Sequence, residues 1–280
     1  MSDRQPVLVV TDSTADIPVH LAKSLGIEVV PLTISFDTES FLDGIDLTPA
    51  EFIARLRLAP NLPKTSQPPV TAFETVFRDA QERSQDIVCI TISADLSGTN
   101  NAARLAAGLV DPEHIRIVDS RATTMQLGWV AVAAARLAQQ GADFDQVSRA
   151  AESATARVKL YAVLQTLDYV YKGGRIGRAQ QLVGSALAIK PILGVVDGVV
   201  TPVERVRTWK KAIARAGDLI TPTPTDIMVL HSDNLADAQS LAARLSLAYP
   251  EATMEINFVG ATITTYAGPG AIGVAALYPE

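Results

Sequence analysis

Positions 86–93 read DIVCITIS, apolar from Ile87 to Ile92 except at Thr91. A run of that kind suits a strand covered on both faces, which calls for helices above and below a parallel sheet. The flanking sequence supplies them. VLVVTDS (7–13) leads into a helical pattern at about 17–26, with Pro18 in its first turn. EVVPLTISF (28–36) reads as the next strand. In DLTPAEFIARLRL, Thr48 is an N-cap, Pro49 takes the first helical position and Glu51 completes a capping box. VTAFETVFRDAQERS repeats that signature with Thr71 and Glu74. Beyond residue 93 come a helix over about 99–109, the strand IRIVDS (115–120) and an Ala-rich helix through 122–140. Strands alternating with helices imply βαβ units.

QQGADFDQ (139–146) marks a boundary, so the expected domains are 1–142 and 143–280. The second half opens with a helix over 144–157 and the strand KLYAVL (159–164). ILGVV and VVTPVERV flank Asp197-Gly198, a strong hairpin signal. DIMVLHS (226–232), a helix over 234–248, MEINFVG (254–260) and GVAALY (273–278) complete a mixed sheet. The expected fold class is therefore α/β with two α/β domains, the N-terminal sheet mainly parallel and the C-terminal one mixed. At 280 residues the chain is long enough for both cores.

Charge and motif content exclude several functions. A net charge of -6 and a pI near 5.2 leave no excess of Lys and Arg for a nucleic-acid surface. Cys89 is the only cysteine, and His20, His114 and His231 are widely spaced, so no metal site is expected. His231 ends a predicted strand and reads as a strand-end residue near a helix cap or as the best placed of the three for function. Neither a phosphate-binding loop nor a nucleophile elbow occurs, and no cofactor is expected. Gly268, Gly270 and Gly273 spell G-x-G-x-x-G near the C-terminus, but the seven strand-like residues after Gly273 leave room for neither the helix nor the acidic residue about 20 positions on that a dinucleotide site requires. What remains is a tight Gly-Pro-Gly turn that lets backbone come close to something. The polar start lacks a signal peptide's features, and no apolar stretch approaches about 18 residues, so the protein is expected to be cytoplasmic.

Hydroxyl groups stand where strands are expected to end, in TDSTADIP, ISADLSGTNNAA and DSRATTMQLG. In an open parallel sheet such loops gather at the carboxyl edge, where ligands bind. KTSQPPVT adds Thr65 and Ser66. Ser97 and Thr99 flank Gly98 just before a helix, whose free N–H groups and positive dipole end suit an anion. The plainer alternative is an N-cap. Hydroxyls without a basic partner are poor nucleophiles, and they suit holding an anion better than attacking one. In YKGGRIGRAQQLVGSALAIKPIL (171–193), Gly173-Gly174 breaks the chain, and Arg175 and Arg178 follow. A helix from near Gly177 then aligns Ala179, Leu182, Val183, Ala186 and Leu187 on one apolar stripe, as an ordinary core-facing helix also would. ERVRTWKKA (204–212) concentrates Arg205, Arg207, Lys210 and Lys211 into a local positive face or a solvated run.

Taken in order, TDSTADIP, KTSQPPVTAF, LSGTNNAA, VDSRATTMQLG, YKGGRIGRAQQLVGSALAIKPIL, RVRTWKKA, HSDN and GPGAIG resemble the DegV family of bacterial lipid carriers. That family includes the fatty-acid-binding subunit of bacterial fatty acid kinase. The resemblance implies a carrier, not an enzyme, that holds one long-chain fatty acid between or within its two domains, its tail in an apolar tunnel. By the same resemblance the carboxylate is held by Thr65, Ser66, Ser97, the Gly98 amide and Tyr266. Arg175 and Arg207 match basic positions near the mouth, facing a separate ATP-binding kinase subunit that phosphorylates the carboxylate. Transient membrane contact is compatible with such a carrier. Relatives typically have His where this chain has Tyr266, and Pro69, Asn100 and Gly177 also depart from the pattern. Two rival readings stand beside this one. The first is a hydrolase or transferase with Ser97 or Thr65 as nucleophile. The second is a carrier or sensor of another lipid or carboxylate with no kinase partner.

Overall fold

The computed structural model describes residues 7–83, 85–183 and 189–280. The strands, in chain order, are β1 (Leu8–Asp12), β2 (Glu28–Val30), β3 (Thr33–Phe36), β4 (Glu39–Leu42), β5 (Lys64–Ser66), β6 (Ile87–Thr91) and β7 (Ile115–Asp119). There follow β8 (Val158–Val163), β9 (Lys190–Val196), β10 (Val199–Val206), β11 (Asp226–His231), β12 (Thr253–Phe258) and β13 (Ile272–Leu277). Two compact units result. One joins the chain up to Leu32 with Ser66–Ala156; the other joins Thr33–Thr65 with Arg157–Glu280.

The first unit is built on a sheet ordered β2-β1-β6-β7, parallel throughout. Helices Val70–Glu82 and Thr99–Val110 cover one face, packing Phe73, Phe77, Ala103 and Ala106 onto Leu8, Val10 and Cys89. Val9, Val88 and Ile90 alternate with those positions along the strands and are buried as well. Helices Thr124–Gln139 and Phe144–Ala154 also pack against this sheet. The apolar runs of β1 and β6 thus reflect cover on both faces. Burial pushes the Cys89 thiol well above its usual range, and the nearby Asp12 carboxylate adds to the effect.

The expected division into 1–142 and 143–280 differs from these units in two places. QQGADFDQ is a turn between packed helices, not a domain boundary. Gly141 takes φ +84, Asp143 caps the next helix in a capping box with Gln146, and Val147, Ala151 and Ala154 are buried. The second difference is the excursion 33–65, which belongs to the second unit. EVVPLTISF is accordingly two strands. Pro31 interrupts it, having no N–H for a ladder, and the next amide, Leu32 N–H, donates to Ser13 Oγ at 3.0 Å. β3 then enters a separate sheet ordered β4-β3-β5. The capping box at Thr48 and Glu51 forms as expected, but the one at Thr71 and Glu74 does not. That helix starts at Val70 straight after Pro69, so Thr71 lies inside it and Glu74 pairs with Arg78 at 2.7 Å.

The second unit carries a mixed sheet ordered β10-β9-β8-β13-β11-β12, in which only β11 and β12 run parallel. Asp197 and Gly198 take φ 53 and 83, the left-handed pair that a two-residue hairpin turn needs. Helices Trp209–Asp218 and Leu235–Ala248 bury Ala212, Ile213, Ala216, Leu241 and Leu245 against the sheet. Two short helices, Asp168–Lys172 and Ala261–Ala267, have too few turns for a periodic signal. A 3-10 turn over Gly177–Leu182 stands where a regular helix was expected. Ala179 and Leu182 are buried as the stripe requires and Val183 is exposed; Ala186 and Leu187 lie outside the described residues.

Candidate functional site

Most hydroxyls at the carboxyl edge of the first sheet are committed to its own loops. The buried Asp12 carboxylate accepts from Thr14 N–H at 3.0 Å, from Thr14 Oγ1 and from Ile92 N–H at 2.8 Å. Ser120 Oγ donates to the Thr91 carbonyl at 2.7 Å, and Ser93 Oγ accepts from Asp95 N–H at 3.2 Å. Asn100 is buried, donating to Thr91 Oγ1 at 2.9 Å and accepting from Arg104 Nε at 2.8 Å. These bonds tie loop to strand.

Ser97 and Gly98 are different. Ser97 Oγ is 2.9 Å from Thr99 Oγ1 and receives only a long contact, 3.3 Å, from Thr99 N–H. The N-cap of helix Thr99–Val110 is Gly98, with no side-chain cap. The capping alternative for Ser97 is therefore weak. Gly98 has φ -72, which any residue adopts, so its backbone does not require glycine. The exposed Gln67 side chain lies over it instead: a Cβ would come within 2.9 Å of Gln67 Cδ and closer still to its Oε1, so the Gln67 amide would swing aside. The loop that carries Ser66 thus lays Gln67 across Gly98. Gln67 gave no sequence signal, being one amide in a loop. Ser66 is exposed.

In the second unit the structure brings Thr65, Tyr266 and Arg175 together. The Thr65 and Tyr266 hydroxyls are hydrogen-bonded. The Arg175 guanidinium carbon lies 5.3 Å from the Tyr266 ring centroid, and its Nη1 donates to the Gly173 carbonyl at 2.9 Å. Tyr266 belongs to helix Ala261–Ala267, not to a strand end, and Gly268 follows that helix with φ +75. A Cβ at Gly268 would meet the Tyr169 ring at 2.5 Å. Tyr169 in turn packs on the cluster of Ile34, Phe52 and Ala261.

Behind the Gly-Pro-Gly turn, Asn234 Nδ2 is shared between the Gly270 carbonyl at 3.3 Å and Asp237 Oδ2 at 2.9 Å. His231 ends β11 as expected, its ring edge-on to Phe258 at 4.8 Å. Its Nδ1 accepts from Asn234 N–H at 3.4 Å, and burial lowers its pKa against the opposing pull of Asp233. Arg205, Arg207, Lys210 and Lys211 are all exposed and form no ion pair among the described residues. Arg178 faces Asp197 at 3.9 Å. Among the described residues no His, Cys, Asp and Glu groups cluster to hold a metal, and no helix is long and apolar enough to cross a membrane.

The sequence model described as "Uncharacterised protein, DegV family" matches residues 6–279. The chain belongs to the DegV family. A DegV domain-containing protein of Streptomyces coelicolor is 39% identical over 273 residues, covering 96% of this chain and 97% of its own length. Two solved DegV structures are similar throughout. A fatty-acid-binding DegV family protein from Thermus thermophilus aligns with a TM-score of 0.90 at 30% identity, covering 98% of this chain and 100% of its own. DegV of Bacillus subtilis, described as a fatty acid binding protein, gives 0.89 at 31% identity, covering 98% and 99%. Both share the pairing of α/β domains, one with a mainly parallel sheet and one with a mixed sheet.

Proposed function

We propose that this DegV family protein is a carrier for one long-chain fatty acid. The observation that carries the reading is the hydrogen-bonded hydroxyl pair of Thr65 and Tyr266. Full-length similarity to two structures described as fatty acid binding supports it. A desolvated carboxylate is costly without hydrogen-bond donors. The donors assigned to it are Thr65, Ser66, Ser97, the Gly98 N–H and Tyr266, with the acyl tail in an apolar tunnel. Each buried methylene contributes about 0.8 kcal/mol, so a C16–C18 chain needs little beyond a sealed apolar slot.

The same hydroxyls are poorly built as nucleophiles. Ser97 is bonded to Thr99 and Thr65 to Tyr266, and among the described residues no His, Asp or Glu bonds to either. Activation of an alcohol needs such a base. The protein accordingly presents its ligand to a separate kinase subunit for acyl-phosphate formation, with the exposed Arg207 segment facing that partner. Denaturing extraction of purified protein followed by mass spectrometry tests the carrier reading. A single long-chain acyl species is expected. Finding none, together with no binding of added oleate or palmitate, would sink it, and turnover of an activated ester by the protein alone would restore the enzyme reading.

A further inference from the structure

β12 (Thr253–Phe258) ends one side of the six-stranded sheet, and no strand lies beyond it among the described residues. Thr253 N–H donates to the Thr225 carbonyl at 2.9 Å, and Val259 N–H to the His231 carbonyl at 2.9 Å. Main-chain direction alternates along a strand, so the N–H and C=O groups of Thr253, Glu255, Asn257 and Val259 face β11. Those of Met254, Ile256 and Phe258 face outward. The other edges of the two larger sheets are blunted. β10 carries Pro202 with a register shift beside it, β2 has three residues, and β7 exposes Arg116. β12 has six residues, with neither proline nor shift. Beside it, Leu235, Gln239 and Ser246 lie within about 40° of one another around helix Leu235–Ala248. All three are exposed, and Ser246 Oγ donates to Met254 Sδ at 3.3 Å. An outward row of main-chain groups and an exposed helix stripe thus share one edge of the second unit.

We propose that this edge is an interface between two copies of the chain, with β12 pairing antiparallel to β12 of the second copy about a two-fold axis at Ile256. The symmetry fixes the partners: Ile256 meets Ile256, Met254 meets Phe258 and Glu255 meets Asn257. The outward residues then form hydrogen-bonded pairs, each exchanging both main-chain bonds with its opposite. Glu255 faces the Asn257 amide, so an acceptor meets a donor on both sides of the axis. Met254 brings its sulfur to the Phe258 ring, a favourable contact. An axis at Glu255 would set two carboxylates directly opposite, which is destabilising. An axis at Asn257 would set Glu255 against apolar Val259. With Met254 opposite Phe258, the Ser246 end of one helix stripe meets the Leu235 end of the other and covers a leucine that is 50% exposed.

Sedimentation equilibrium of the full chain over a dilution series tests this. A species of twice the 29.7 kDa chain mass is expected at the concentrated end. Ile256→Pro removes an outward N–H and no bond to β11, where an edge strand accepts proline, and should give monomer. Ser246→Arg, at an exposed helix position, should also give monomer and decides the matter if the proline variant does not fold. Cysteines read the register, since Cys89 is the only native thiol and is buried. Oxidised with diamide, Ile256→Cys should cross-link to its own copy, the two Cα atoms being about 5.5 Å apart in a hydrogen-bonded pair. Glu255→Cys and Asn257→Cys each lie more than about 7 Å from their own copies. Neither should cross-link alone, and a mixture of the two should. A monomer at every concentration, a dimer that both the proline and arginine variants leave intact, or self-cross-linking of Glu255→Cys would overturn the proposal.

Discussion

The indole N–H of Trp209 donates to Asp237 Oδ2 at 2.7 Å. The same carboxylate oxygen accepts from Asn234 Nδ2 at 2.9 Å, and Asn234 reaches the Gly270 carbonyl. The start of the helix that follows Arg207 is thereby tied to the Gly-Pro-Gly turn. Asp237→Ala would leave the part-buried Trp209 indole N–H without its acceptor and Asn234 Nδ2 with the Gly270 carbonyl alone, a loss of about 1–3 kcal/mol. Scanning calorimetry should show the second unit melting several degrees lower, at roughly 2–4 °C per kcal/mol. An unchanged melting temperature would mean that water replaces the carboxylate without loss.

Ser97→Ala is expected to weaken fatty-acid binding by about 1–3 kcal/mol, the range for taking one hydrogen bond from a charged group. Folding stability should fall by no more than about 1 kcal/mol, since Gly98 is the N-cap residue and Ser97 Oγ holds only the Thr99 N–H, at 3.3 Å. Calorimetric titration and thermal melts of one preparation separate the two effects. Full affinity with lowered stability would make Ser97 a capping residue after all.

Tyr266→His should introduce a pH dependence that the parent lacks. A phenol carries no positive charge at any pH, whereas imidazole gains one within about pH 5–8. A cation beside the carboxylate strengthens binding, so affinity should rise as pH falls through the imidazole range. Arg175, which faces this ring, opposes protonation and moves the step toward lower pH. Titrations at several pH values test the sign; a flat profile for the His variant would place residue 266 away from the head group.

His231 makes stability pH-dependent in a defined direction. Its folded pKa is lowered, mainly by burial, so the folded state favours the neutral ring. That contribution is fully present above the unfolded value of about 6.5 and is lost as pH falls through the folded value. Asp233 works against the shift and is itself paired with Arg57. Urea unfolding from about pH 8 down to pH 5 should show a smaller acid loss in His231→Gln than in the parent. Identical slopes would remove His231 from the account.

Much of the architecture was legible because periodicity and turn chemistry are local. The buried runs of β1 and β6 need cover on both faces, Asp197-Gly198 can only turn, and Thr48 with Glu51 caps its helix wherever that helix packs. The division into units was less legible. Gly141 and Asp143 make a break between helices whatever lies on either side, and only the packing of the following helix against Thr124–Gln139, β6 and β7 assigns it to the first unit. The site was legible as residue types only. Hydroxyls at strand ends look alike in the sequence, and hydrogen bonding sorts Ser120 and Asn100, which bond to β6, from Ser97, whose Oγ bonds only to Thr99. Gly173-Gly174 shows the limit most plainly. A left-handed backbone at Gly174 is the local conformation for which glycine is the usual choice. The need for glycine at Gly173 is set by a ring 93 positions away, and contact between residues so distant along the chain exists only once the fold has formed.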